Sequence, residues 1–329
     1  MNETQTTPAF TKLIDLASEK LGGKALLCSD DFFADMQNML KAGRGIFIPD
    51  KYTEQGKWMD GWESRRKRTP GFDWCIVKLG AAGIIRGVDV DTNHFLGNHP
   101  PQCSIEACYL PDDKLDEAKW TEILPKSNLN PGSQHFFEIK NDQLFSHVRL
   151  NIYPDGGVAR FKVYGEVKKD WGLVKENELV DLTAALNGGK AIQCNDMFFS
   201  HMDNLIMPGR SENMGDGWET KRNRTPNNKD WVILKLGTKG AIHKITVDTN
   251  YFKGNYPDRC MIEGCVWDTD TNFDSFAWKA VLPESKLQAH KEHFFEKEIS
   301  DHGPFTHIKL IIFPDGGISR LRLWGYKSK

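Results

Sequence analysis

Trp74-Cys75-Ile76-Val77-Lys78-Leu79 places apolar side chains at Cys75, Val77 and Leu79, and Trp231-Val232-Ile233-Leu234-Lys235-Leu236 does the same at Val232, Leu234 and Leu236. A period of two turns one face of an extended strand towards a core. Val88 and Val90, matched by Ile245 and Val247, make a second inward set, with Asp91 and Asp248 at the strand ends pointing the other way. Val148, Leu150 and Ile152, matched by Ile308, Leu310 and Ile312, make a third. Helical periodicity is confined to residues 32 to 41 and 198 to 206. Several short strands separated by turn residues predict an all-β protein, a β-sandwich.

The pattern is doubled along the chain. Ile14-Asp15-Leu16-Ala17 and Gly22-Gly23-Lys24-Ala25 return as Val180-Asp181-Leu182-Thr183 and Gly188-Gly189-Lys190-Ala191, a shift of 166 residues. The shift falls to 156 at Asp60-Gly61-Trp62-Glu63 and rises to 160 at Pro154-Asp155-Gly156-Gly157, so insertions fall in loops between motifs. The expected organisation is a loose tail at residues 1 to 12, repeats at 13 to 166 and 179 to 329, and a linker at 167 to 178. The order of motifs resembles discoidin-type, galactose-binding-like jelly rolls: a Trp-initiated strand ending Lys-Leu-Gly, then an Ile-x-x-Val strand, then a closing hairpin like Ile308 to Gly325. That resemblance implies two tandem jelly-roll β-sandwiches and speaks for fold alone.

Composition narrows the class. The 329 residues are 39% hydrophobic and 27% charged, with a net charge of -2. No strong field favours nucleic acid or an anionic membrane, and no apolar run approaches the length of a membrane helix. The polar start lacks a signal core, and seven cysteines without a C-x-x-C fit a reducing, cytoplasmic setting. Three cysteine pairs recur (Cys28 with Cys194, Cys103 with Cys260, Cys108 with Cys265) in strand-like sequence, where a small buried hydrophobe is the expected role.

Asp60-Gly61-Trp62-Glu63-Ser64-Arg65-Arg66-Lys67-Arg68-Thr69-Pro70 returns as Asp216-Gly217-Trp218-Glu219-Thr220-Lys221-Arg222-Asn223-Arg224-Thr225-Pro226. Neither a turn nor a core requires two acids, a Trp and several cations in register. Trp62 and Trp218 are core anchors or site residues. Arg66, Arg68, Arg222 and Arg224 lie on segments that the proline keeps extended, so each pair can project one way and fork onto a carboxylate. Asp91, Asn93 and Asn98, repeated as Asp248, Asn250 and Asn255, either satisfy their own loop or read amide groups. Glu106 and Glu263 are solvated or site-lining. His135 and His293 recur within His-Phe-Phe-Glu, and His147 and His307 lie opposite an apolar set, a place for acid–base work or for the surface. Pro154 to Gly157 and Pro314 to Gly317 read as tight turns with Gly at positive φ. Without H-x-H, H-E-x-x-H, a nucleophile elbow or a dinucleotide fingerprint, neither a metal site nor a cofactor is expected.

The three doubled motifs together, D-G-W-E-[ST]-[RK]-R-x-R-T-P, D-T-N-x-F-x-G-N-x-P and P-D-G-G, resemble the allantoicase family over nearly the whole chain. The resemblance implies hydrolysis of allantoate to ureidoglycolate and urea in purine degradation, and a homo-oligomer. Allantoate carries one carboxylate and two ureido groups on one carbon. On that chemistry Arg66, Arg68, Arg222 and Arg224 are the candidates for the carboxylate, with Asp91, Asn93, Asn98, Asp248, Asn250 and Asn255 for the ureido groups. Glu63, Glu219, His135 and His293 are the candidates for proton transfer. The competing class is a non-catalytic tandem carbohydrate-binding protein, which the jelly roll alone allows equally.

Overall fold

The structure is a computed structural model that describes residues 7 to 268 and 272 to 328. The chain divides into two compact units, Met1–Lys168 and Lys169–Lys329. Residues 1 to 6 of the expected tail lie outside the described part. Ala9–Lys12 forms a 3-10 turn whose Phe10 packs against Phe136 and Tyr164. In the expected linker, Val174 is buried and the Trp171 carbonyl accepts from Lys327 Nζ at 2.8 Å.

Each unit is organised by one 19-residue strand, Asp73–Asp91 in the first and Asp230–Asp248 in the second. The expectation that these sets form separate short strands is corrected here, while the other strands are short. The Trp74 and Val88 sets belong to one strand that passes through both layers of its sandwich. Its first half pairs with Lys24–Cys28 on one side and Phe145–Tyr153 on the other, and Gln102–Cys108 and Thr121–Asn128 extend that layer. Its second half pairs with Gln134–Glu138 and Arg160–Val167, and Ile14–Asp15 closes that layer. The crossing lies at Gly80 and Gly83, where an added Cβ would stand 2.6 Å from the Leu21 carbonyl oxygen and 2.5 Å from that of Glu166. A larger residue would prise the layers apart. Both halves keep their parity: Cys75, Val77, Leu79, Val88 and Val90 are buried, as are Val232, Leu234, Leu236, Ile245 and Val247. The second unit repeats the arrangement, with Lys190–Cys194, Phe305–Phe313, Arg259–Cys265 and Lys279–Lys286 in one layer. Val180–Asp181, Arg320–Lys327 and Glu292–Phe295 join its long strand in the other. Two tandem jelly-roll sandwiches result.

The only helical turns over the two stretches with helical periodicity are 3-10, Met36–Leu40 and Met202–Ile206. All seven cysteines are free thiols. Burial pushes Cys103 and Cys260 up to about 12, which leaves them unreactive and structural.

Candidate active site

In each unit a two-stranded ladder stands apart from the main sheets and carries the recurring acid. Trp62–Glu63 pairs with Gly157–Val158, and Trp218–Glu219 with Gly317–Ile318. Trp62 and Trp218 are completely buried, and their indole N–H groups donate to the carbonyls of Asp30 and Asp196 at 2.8 Å. They are core anchors whose indoles fix the ladder. Gly157 lies so close to Phe95 that a Cβ would fall 2.0 Å from the ring, and Gly317 meets Phe252 at 1.9 Å. The second glycine of the Pro-Asp-Gly-Gly turn is therefore dictated by the aromatic residue of the Asp-Thr-Asn loop.

That turn ties all three recurring motifs together. Its Gly156 amide donates to Ser64 Oγ, its Asp155 carboxylate accepts from the Lys67 amide at 2.8 Å, and its Gly157 amide donates to the Asn98 carbonyl at 2.8 Å. Thr220, Asn223 and Asn255 make the same bonds to Gly316, Asp315 and Gly317. The consequence is a fixed meeting of acid and amide: Asn98 Nδ2 donates to Glu63 Oε1 at 2.6 Å, and Asn255 Nδ2 donates to Glu219 Oε1. Burial raises the pKa of both glutamates above the ordinary range, and the carboxamide offsets part of the rise. Each acid thus keeps its proton to a higher pH than a solvated glutamate would.

The other acids of these motifs are taken up by cations. Asp60 accepts from Arg160 Nη2 at 2.6 Å, and Asp216 from Arg320 Nη2 at 3.0 Å, with all four side chains almost wholly buried. Burial alone would raise Asp60, but Arg160 and the Ile46 amide outweigh it and hold the carboxyl low. Asp91 is gripped by Arg44 through Nε and Nη2 at 2.8 and 2.9 Å, and Asp248 by Arg210 at 3.0 and 3.2 Å. Asn93 donates to the Gly45 carbonyl at 2.8 Å, and Asn250 to the Ser211 carbonyl at 3.0 Å. These four residues spend polar atoms on a neighbouring loop, residues 44 to 45 in the first unit and 210 to 211 in the second.

The recurring histidines are likewise engaged. His135 Nδ1 lies 2.8 Å from the Val90 carbonyl and its Nε2 accepts from the Asn130 amide at 2.8 Å; His293 does the same between Val247 and Gln288. A ring that donates through one nitrogen and accepts through the other is held neutral, and burial lowers both pKa values. His147 and His307 are fully buried, which corrects the surface alternative for them: Ser146 and Thr306 contact their Nδ1 atoms at 2.9 and 3.0 Å. Glu106 forms an ion pair with Arg149 at 2.6 Å.

The cations expected to fork onto a carboxylate stay in solvent. Arg66 is 72% exposed, with its Nε 3.7 Å from Asp155, and Arg68, Arg222 and Arg224 are exposed without an ion pair among the described residues. Arg44 and Arg210 escaped the sequence reading although Gly43-Arg44 and Gly209-Arg210 recur at the 166-residue shift. Comparison of the repeats at that shift would have found them.

A cavity of about 410 Å³ opens beside the first dyad, lined among others by Phe47, Lys57, Met59, Glu63, His94 and Asn98. One wall is the hairpin Tyr52–Thr53/Gly56–Lys57. Among the described residues no group of three His, Cys, Asp or Glu side chains is placed to hold a metal ion.

Fold and site together define a class: tandem jelly rolls, each presenting an acid clamped by a carboxamide, half-buried in the first and buried in the second, with a pocket suited to a small polar molecule beside the first. Comparison with known proteins makes this specific. The allantoicase repeat model matches residues 14–168 and 180–328, and the chain belongs to the allantoicase family. A probable allantoicase of Pseudomonas savastanoi pv. phaseolicola is 51% identical over 97% of this chain and 98% of its own length. Probable allantoicase 1 of Burkholderia mallei is 49% identical over 98% of this chain and 97% of its own length. The crystal structure of allantoicase from Saccharomyces cerevisiae superposes with a TM-score of 0.81 at 38% identity, covering 96% of this chain and 93% of that one.

Proposed function

We infer that this protein is an allantoicase: it hydrolyses allantoate to ureidoglycolate and urea, a step in purine degradation. Half-identity to probable allantoicases over nearly the full length of both chains carries the assignment. The acid–amide dyads supply a chemistry that fits it.

Urea leaves the central carbon poorly unless its nitrogen is protonated. Burial raises the pKa of Glu63 and Glu219 above that of a solvated glutamate, which makes each better suited to carry a proton and donate it to the ureido nitrogen. The C–N bond then breaks, urea departs, and the lone pair of the remaining ureido nitrogen stabilises the cationic carbon. Water adds to that carbon and returns a proton to the carboxylate, so the acid is regenerated and the products are ureidoglycolate and urea. Asn98 and Asn255 orient the acid through one N–H and keep a carbonyl oxygen for a ureido N–H. Arg66, Arg68, Arg222 and Arg224 meet the incoming carboxylate. Asp91, Asn93, Asp248 and Asn250 act indirectly by holding the loop that presents the asparagine. The bonding of His135 and His293 favours the glutamates as the proton carriers.

In this reading the repeats are residues 13 to 166 and 179 to 329, joined by the segment 167 to 178. The enzyme works in the cytoplasm as a homo-oligomer, without a cofactor. Urea release from allantoate by the purified full chain, with and without a chelator, tests the assignment. A purified, folded protein that releases no urea under either condition refutes it.

A further inference from the structure

The two dyads do not face the same surroundings. Between Arg44 and Asp60 the first repeat holds ten residues that the second lacks between Arg210 and Asp216. In the first repeat the insertion folds into the hairpin that walls the cavity. In the second, the shorter connection brings Met214 Sδ to 3.8 Å from Asn255 Nδ2, so a thioether sits against the dyad.

Lys57, at the end of that hairpin, is an unusual cation. It is half-buried and lines the same cavity as Glu63 and Asn98. Its Nζ donates to the carbonyls of Pro49 and Ile48, and it lies 4.8 Å from the Phe47 ring centre and 4.7 Å from that of Tyr52. Carbonyl oxygens and ring faces hold an ammonium in place without cancelling its charge. No carboxylate pairs with it among the described residues, whereas Asp60, Asp91, Asp155 and Asp216 all have cations near them. The charged group that Lys57 brings to this cavity therefore has no counter-ion among the described residues. An ammonium with three donors has one left after its two carbonyls.

We propose that the first repeat's cavity seats allantoate and that Lys57 binds the substrate carboxylate, which sets the reacting carbon beside Glu63. The proposal rests on the allantoicase reading. It gives this carboxylate contact to a residue with no counterpart in the second repeat.

The test pairs a change in the enzyme with the matching change in the substrate. Methylenediurea keeps both ureido groups and lacks the carboxylate. The ratio of kcat/KM for allantoate to that for methylenediurea is measured in the full-length wild type, Lys57→Met and Lys57→Arg, with the unfolding midpoint of each. The expected result is a fall in that ratio of roughly 10-fold or more in Lys57→Met, carried by KM, with recovery in Lys57→Arg. An unchanged ratio overturns the proposal, whether both substrates slow together through a structural fault or neither slows. If the wild type turns over neither compound, the allantoicase reading fails with it. Wild-type urea release beside an unchanged ratio sinks the Lys57 assignment alone.

Discussion

The two repeats agree where backbone is held and differ where a ligand would sit. In both, a buried indole, a Pro-Asp-Gly-Gly turn and a buried Asp–Arg pair fix a glutamate against an asparagine. The first repeat adds a hairpin bearing Lys57 and opens a cavity, while the second shortens the connection and sets Met214 beside its asparagine. Duplication accounts for the shared frame, which holds the glutamate against the asparagine in both copies. Chemistry needs only one well-formed pocket, so the walls are free to diverge. Two copies of a motif therefore do not amount to two equal sites.

The largest expected effect sets the dyads against each other. Glu63→Gln should lower kcat for urea release about 100- to 10,000-fold by removing the proton donor, with a much smaller loss for Glu219→Gln. Because burial raises Glu63, the wild-type rate should fall as pH rises through that elevated pKa, and the remaining activity of Glu63→Gln should lose this limb. Equal losses from both variants would break the comparison and make the repeats equivalent in catalysis.

Where the repeats agree, they should also fail alike. Arg160→Met leaves Asp60 buried with only Lys41, 3.7 Å away, as a charged partner. Arg320→Met removes the guanidinium that stands 3.0 Å from the buried Asp216 carboxylate. Each should cost roughly 3–5 kcal/mol in denaturant unfolding. A loss confined to one repeat would show that the frame is not shared energetically.

A smaller difference lies within the core itself. Asp89 occupies the place of Thr246, fully buried, with Gln134 on one oxygen and none on the other. Burial raises its pKa from 3.8 to about 6. The folded state thus holds this proton more tightly than the unfolded chain, so its contribution is fully present below about pH 4. It is lost as pH rises through 6. Asp89→Thr, the second repeat's residue, should remove that dependence and gain on the order of 2 kcal/mol at pH 8 relative to pH 4. Urea titrations at the two pH values measure it, and parallel behaviour of variant and wild type would refute it.

How far the site could be read in advance follows from what repetition reveals. Alternation at Cys75, Val77 and Leu79 exposed the sandwich because a buried face is a local pattern. Continuity of Asp73–Asp91 was hidden, since the glycines at 80 and 83 look like a turn until a second layer is seen to press on them. Glu63 and Asn98 were visible as doubled residues, but their contact depends on the turn at Asp155 to Gly157, distant in sequence from both. Asp91 and Asn93 were candidates for ligand contact because their partners, Arg44 and the Gly45 carbonyl, lie in a loop that no pattern in the chain links to them. Lys57 could not be found by matching repeats at all, because it stands in the insertion.

The smallest expected effect concerns the arginines that first drew attention. Arg66 and Arg68 are solvated, so their pull on an anion is weakened by water and salt and acts mainly on its approach. Replacing both by Ala should raise KM for allantoate by roughly threefold at low ionic strength, and by less at about 0.5 M salt, where the screening length falls to about 4 Å. Arg222→Ala with Arg224→Ala should do less still, because the second repeat lacks the ten-residue insertion that walls the first repeat's cavity. A rise in KM that persists at high salt would mean that Arg66 or Arg68 folds inward onto the substrate, and would shift the carboxylate contact away from the hairpin. A larger effect from the second pair would move the working site to the second repeat.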